Sequence, residues 1–190
     1  MRQILPETTL AITNWLRYSR AFVLFGAQSM YCPQCGKQSF TPQNDKSLSC
    51  YQCGFVYFHN TASAVLAVIT YQDEILIAIR GQNPGKGMYD FPGGFVDHDE
   101  SLEQALSREL QEELGYEQAH GKYLGSHPNT YHYKDVTYKT CDSFFHLNLK
   151  SKPAFKAADD VEKVLWLKTK DVNSEYFAFE SAKQALALLR

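Results

Sequence analysis

Residues 64–69, Ala-Val-Leu-Ala-Val-Ile, form an unbroken apolar run. Without alternation, a run of this length predicts a strand covered on both faces, central in a sheet. Gln72 and Asp73 suit a tight turn, and Ile75 to Ile79 the next strand. Residues 80–86 read as a loop rich in glycine and proline. Tyr89 to Phe91 is a short extended piece ending at Pro92-Gly93-Gly94. The strongest helical pattern runs from Ser101 to Leu114. Ser101 with Gln104 resembles a capping box, and Gly115 is the stop. Strands are expected near 121–127 and 138–149, with His127-Pro128-Asn129-Thr130-Tyr131 in the loop between them. A further strand over 161–167 and a helix over 180–189 close the chain. Strands mixed with a few helices predict an α/β layered domain over residues 59–190.

Upstream the pattern differs. Residues 1–29 read as an N-terminal arm or extension, with a short helix possible over Thr13–Leu24. Residues 30–58 form a small module built on two C-x-x-C turns, Cys32/Cys35 and Cys50/Cys53, each closed by a glycine. The stretch between the turns is polar, and Val56 to Phe58 resembles a strand.

Composition narrows the function without naming it. The 190 residues are 44% apolar and 21% charged, with a net charge of -2. This is ordinary for a globular protein and carries no global positive field for nucleic acid or acidic membrane. No apolar run reaches transmembrane length. Four of the five cysteines are clustered, which fits a metal in a reducing, cytoplasmic setting better than a secreted disulfide framework.

The helix over 101–114 carries the chemistry. At about 100° per residue, Glu109 and Glu113 fall within about 20° of Leu102, in the arc that should meet the sheet, with Glu112 at its edge. Like charges at i,i+4 repel, and carboxylates on an apolar face are costly unless paired or holding metal. Oxygen-only ligation points to Mg2+ or Mn2+. Gly93-Gly94 lets the backbone pass closely. The planar fork of Arg108 can brace a glutamate or meet a phosphate.

Gly94, five residues, Glu100, seven residues, then Arg108-Glu109-Leu110-Gln111-Glu112-Glu113-Leu114-Gly115 resembles the Nudix box. Tyr116 departs from it, standing where the family has an aliphatic residue. The resemblance implies an α/β/α sandwich with a mixed sheet. It implies hydrolysis of a nucleoside diphosphate linked to another moiety. It also implies magnesium held by Glu109, Glu112, Glu113 and the Gly94 carbonyl, with Arg108 orienting a catalytic glutamate. Glu112 is the favoured general base, and Asp159, Asp160 and Glu162 are its competitors. Homodimers are frequent in the family.

The paired C-x-x-C turns, separated by 14 residues, predict a Zn2+ site on Cys32, Cys35, Cys50 and Cys53. The module resembles the zinc ribbon that precedes some Nudix domains. Between residues 31 and 58 only Lys37 and Lys46 are basic, against six aromatic residues. That balance favours a stabilising or dimer-forming role over nucleic-acid binding.

The resemblance implies a small nucleotide substrate. NADH pyrophosphatases carry Ser-Gln-Pro-Trp-Pro-Phe-Pro after the box, whereas this chain has Ser126-His127-Pro128-Asn129-Thr130-Tyr131. The resemblance therefore favours ADP-ribose, releasing AMP, over NADH or FAD, with a non-hydrolytic ADP-ribose sensor as a further alternative. Asn129, Thr130, Tyr131 and Arg80 are the candidate substrate contacts. Phe91 and Phe95 read as packing anchors, Trp166 as core and Cys141 as a buried core thiol.

Overall fold

A computed structural model describes residues 29–117 and 120–189. The expected helix over Thr13–Leu24, and the arm up to residue 28, lie outside the described residues. The chain divides into two compact units between Asn60 and Thr61.

The first unit is a four-stranded antiparallel sheet. Its strands, in spatial order, are β1 (Met30–Tyr31), β2 (Gln38–Pro42), β3 (Ser47–Cys50) and β4 (Val56–Phe58). The polar stretch between the cysteine pairs folds as the β2–β3 hairpin. Its core is small: Cys32, Cys50 and Phe40, with the Phe55 ring 5.9 Å from that of Phe40. The two cysteine turns share one geometry. The Gly36 amide donates to the Cys32 carbonyl at 2.8 Å and the Gly54 amide to the Cys50 carbonyl at 2.9 Å. Both glycines have positive φ, 67° and 77°, a conformation that side chains resist.

The second unit is a mixed sheet between two helices. β5 (Ala62–Tyr71), β6 (Glu74–Arg80), β9 (Lys122–Tyr133), β10 (Val136–Asn148) and β11 (Val161–Lys168) run in the order β11-β6-β5-β10-β9. β7 (Tyr89–Asp90) adds to β6, and β8 (Gly93–Phe95) adds to β5. β5 and β10 are parallel; the other pairings are antiparallel. Helix α1 (Leu102–Leu114) covers one face and α2 (Glu180–Ala187) the other.

The apolar run in β5 follows from this layering. Val65, Ala67 and Ile69 pack toward Leu106 and Leu110 of α1, while Leu66 and Val68 pack toward Ala182 and Leu186 of α2. Successive strand residues point to opposite faces, so a strand covered on both sides loses its polar alternation. Helix α1 starts and stops where its sequence predicts. Both arms of the Ser101–Gln104 capping box form, and Gly115 closes the helix at φ 66°.

Three local expectations are corrected. His127 to Tyr131 is not a loop but the middle of β9, and the chain reverses at Lys134 and Asp135. Pro128 is accommodated because β9 is the outermost strand, where a missing amide is tolerated. Cys141 is exposed rather than buried; the alternation of β10 turns it away from its buried neighbours Thr140 and Asp142. Phe95 is 40% exposed rather than a packing anchor, whereas Phe91 is buried as expected. Trp166 is half-buried, with Phe155 stacked 6.2 Å away.

Candidate active site and metal centre

A cavity of about 300 Å³ opens in the second unit. Its floor includes Ala64 and Leu66 of β5 and Ala78 of β6. Helix α1 contributes Arg108, Glu109, Glu112 and Glu113 to one wall, and β8 contributes Gly93 and Gly94.

The apolar-face position of the glutamates is retained in the fold. Glu109 is 8% and Glu113 5% exposed, whereas the Glu112 side chain is 48% exposed. The Gly93 amide donates to Glu113 Oε2 at 2.8 Å. Burial nevertheless pushes the Glu113 carboxyl well above its usual range; Glu109, Asp90 and Asp159 add repulsion. Burial also raises Glu109, against the opposing pull of Arg108. A Cβ on Gly94 would lie 2.5 Å from Glu109 Oε1, so the diglycine forms a close cradle over both carboxylates.

Arg108 braces this cluster. Its Nε donates to Glu100 Oε1 at 2.8 Å, its Nη1 to Glu109 Oε1 at 2.8 Å and to Glu112 Oε2 at 3.1 Å, and its Nη2 to the Phe95 carbonyl at 3.0 Å. The Glu100 carboxyl is held below its ordinary range by the Arg108 hydrogen bonds. Of the two roles open to this arginine, the structure displays bracing.

β7 and the opposite wall add groups that sequence reasoning passed over. Asp90 is 5% exposed and pairs with Arg80 at 2.8 Å. Burial raises its carboxyl to about 6, although Arg80 opposes the shift. Asp142 is 4% exposed and accepts hydroxyl hydrogen bonds from Thr140 and Ser181, both at 2.6 Å. An acid between two aromatic residues was the available signal for Asp90; Asp142, between Cys141 and Ser143, gave none. Phe179, just before α2, was missed because its place beside Tyr131 is set by tertiary structure alone.

The other expected residues separate by strand parity. Tyr131 lines the cavity and Thr130 a second groove, where it accepts from Lys139 Nζ at 2.8 Å, while Asn129 borders both. Arg80 lines the cavity but is engaged by Asp90 and by the Pro84 carbonyl at 2.7 Å. Asp159 and Asp160 line it as well. The Ala158 amide donates to the Glu113 carbonyl at 2.9 Å, and Asp159 follows with φ at 51°. Glu162 lies in β11 and is exposed.

In the first unit, one sulfur from each of Cys32, Cys35, Cys50 and Cys53 lies within 4.8 Å of all the others. The Cys32–Cys53 and Cys35–Cys50 sulfurs are each 3.8 Å apart. A tetrahedron with Zn–S bonds of ~2.3 Å has edges of ~3.8 Å, so the cluster fits zinc. Burial would raise the Cys50 thiol, but hydrogen bonds from the Ser39 hydroxyl and the Cys53 and Gln52 amides outweigh it and bring it to about 6. The Phe55 amide favours a thiolate at Cys53. Burial and donation to the neighbouring sulfurs prevail, pushing it up to about 12. A metal would displace that retained proton.

Residues 60–189 match the NUDIX domain family, and the chain belongs to it: a family of pyrophosphohydrolases. Two similar curated proteins are the NAD-capped RNA hydrolases NudC of Pseudomonas aeruginosa and Vibrio vulnificus. The first is 31% identical over 111 residues, 58% of this chain and 40% of that protein. The second is 34% identical over 100 residues, 52% of this chain and 37% of that protein. The chain thus spans less than half the length of these relatives. Among solved structures, a NUDIX hydrolase from Nitrosomonas europaea matches in fold with TM-score 0.61 at 21% identity, covering 82% of this chain and 87% of that one. The NUDIX domain of Shewanella oneidensis NrtR, complexed with ADP ribose, matches with TM-score 0.59 at 26% identity, covering 70% and 88%. Among the described residues no helix is long and apolar enough to cross a membrane.

Proposed function

We propose that this chain is a Mg2+- or Mn2+-dependent pyrophosphohydrolase that cleaves the diphosphate of an NAD-type dinucleotide, with AMP as one product. The observation that carries this reading is the burial of Glu109 and Glu113 side by side under Gly93 and Gly94, in the wall of an open cavity. Buried carboxylates at i,i+4 are costly together. Among the described residues the one cation bonded to the cluster, Arg108, is shared with Glu100 and Glu112. An all-oxygen donor set of this kind suits a hard divalent cation.

Glu109, Glu112, Glu113 and the Gly94 carbonyl would hold the metal. When bound, it neutralises the diphosphate and lowers the pKa of a water molecule. Arg108 keeps Glu109 and Glu112 oriented. Glu112, the most exposed of the three, receives the proton from the attacking water and can pass it to solvent; Asp159 and Asp160 stand nearby as alternatives. Zn2+ on the four cysteines would cross-link the small β-sheet whose apolar core is slight.

The dinucleotide reading takes precedence over the ADP-ribose expected from the altered Ser126–Tyr131 segment. Its support is the NAD in the names of relatives at 31–34% identity. ADP-ribose stays the second reading, favoured by the ligand of the NrtR domain. The test is AMP release from NAD, NADH, FAD, ADP-ribose and a 5′-NAD-capped oligonucleotide, each with magnesium and with manganese. NAD turnover above that of ADP-ribose is expected. Preference for ADP-ribose would install the second reading. Binding without products would make the domain a sensor, and the absence of both would overturn the proposal. Elution of the full chain with a dimer's mass is the corresponding expectation for assembly, and a cytoplasmic setting for location.

A further inference from the structure

The two cysteine turns of the first unit are matched in backbone and unmatched in one side chain. Beyond the glycine amides, the Cys32 amide donates to the Lys37 carbonyl at 2.9 Å and the Cys50 amide to the Phe55 carbonyl at 2.8 Å. Both leading cysteines are buried, Cys32 at 1% and Cys50 at 2% exposed. Cys50 alone has a hydroxyl against it: Ser39 Oγ lies 2.9 Å from its sulfur. Among the described residues no hydroxyl reaches the sulfurs of Cys32, Cys35 or Cys53.

Ser39 is itself 2% exposed, in β2. The strand ladder holds it in place. Phe40 pairs with Cys50, and the Tyr51 amide donates to the Ser39 carbonyl at 3.2 Å. A buried hydroxyl needs an acceptor for its single proton. Two are within reach: the Cys50 sulfur at 2.9 Å and the Lys37 carbonyl at a longer 3.4 Å. A metal-bound thiolate carries no proton and can only accept. The shorter contact then becomes a hydroxyl donated to a charged sulfur, the stronger kind of hydrogen bond.

Resting on the zinc reading of the four cysteines, we propose that Ser39 is a positioning residue for that metal: its hydroxyl donates to the Cys50 thiolate, orients it and slows the loss of zinc. Four thiolates outweigh the charge of one Zn2+. Residues 30–58 offer only Lys37 and Lys46 as basic side chains, so hydrogen-bond donors must share the excess negative charge. Partners that bond to a ligand atom fix its direction and tune its hold on the metal. The backbone supplies such partners alike to both turns. The Ser39 hydroxyl is the added contribution of this sequence, delivered to one buried sulfur.

Zinc release from the loaded full chain into excess chromogenic chelator reads this role without any nucleotide, apart from the pyrophosphohydrolase reading. Ser39→Ala should release zinc about tenfold faster than the native chain, the scale of losing such a partner. Ser39→Thr, which keeps the hydroxyl, should restore slow release. Cobalt in place of zinc supplies a signature that packing alone does not move. The sulfur-to-cobalt charge-transfer band should shift to longer wavelength in Ser39→Ala, because a sulfur without its hydrogen bond gives up an electron more easily. If Ser39→Ala does not fold, Ser39→Val against Ser39→Thr reads the same difference, since those side chains share a shape and differ by the hydroxyl. Unchanged release, or faster release with an unmoved band, would overturn the inference. A native chain that takes up no zinc would overturn the zinc reading and this inference with it.

Discussion

The backbone amide of Gly93 donates to Oε2 of Glu113 at 2.8 Å, across 20 residues of sequence. This bond fixes one oxygen of a carboxylate that burial disfavours in its charged form and leaves the other to a ligand. Glu113→Gln and Glu109→Gln keep the volume and remove the charge. Each should reduce magnesium-dependent turnover by orders of magnitude while circular dichroism and the melting transition stay cooperative. Wild-type-like turnover in both variants would remove the glutamates from the metal site.

Gly94 and Gly93 should fail differently when changed to alanine. At Gly94 the new methyl meets the Glu109 carboxylate at 2.5 Å, and Glu109 is tethered by Arg108 at 2.8 Å. Gly94→Ala should therefore raise the metal concentration needed for half-maximal activity about tenfold or more, with stability close to that of the native chain. At Gly93, φ is 140° and the methyl would lie 2.1 Å from the Val65 carbonyl oxygen. Neither backbone can yield, so Gly93→Ala should cost about 3 kcal/mol or more. Denaturant melts and a metal titration separate the two outcomes.

The buried acids set a pH dependence of stability. The folded Asp90 carboxyl sits at about 6 against an ordinary value of 3.8. Between those values the folded state binds more protons than the unfolded state, so stability falls as pH rises. Its contribution, on the order of 3 kcal/mol, is complete below about 4 and lost through about 6. Glu109 and Glu113, also raised, act in the same direction. Glu100 is lowered, so its contribution is lost only in more acid solution. The metal-free chain should melt at a higher temperature near pH 5 than near pH 7. Added magnesium or manganese should flatten the difference, because bound cations favour the ionised glutamates. A melting temperature that rises with pH in chelator would contradict this.

The four sulfurs should release one zinc per chain when modified by a thiol reagent, read with a chromogenic chelator. Cys35→Ser should abolish stoichiometric zinc and unfold residues 30–58, since the apolar core there amounts to little more than Phe40, Phe55 and Leu48 with the cysteines. Chain that binds no zinc yet keeps the protection of its β2–β3 amides against hydrogen exchange would show that the metal is dispensable.

Much of the fold was written in local pattern. The unbroken run at 64–69 specified a strand buried on both faces, and α1 is bounded by its own capping box and glycine. The positions of Glu109 and Glu113 among apolar neighbours followed from helical periodicity alone. So did the cysteine cluster, because two short turns of fixed geometry bring four thiols together with little help from distant chain. The Ser126–Tyr131 segment misled because proline and asparagine signal a turn locally, whereas an edge position in the sheet makes proline harmless.

What the tertiary structure decided is the part of the site drawn from separate strands. Parity on β9 sends Tyr131 into the cavity and Thr130 away from it. Parallel pairing of β10 with β5 and packing of α2 bring Asp142 to Ser181, 39 residues later. Arg80, free in sequence to meet a phosphate, is held by Asp90. Sequence periodicity places a side chain on one face of its own element. Only the register between elements decides what that face meets, and register depends on packing over the whole sheet.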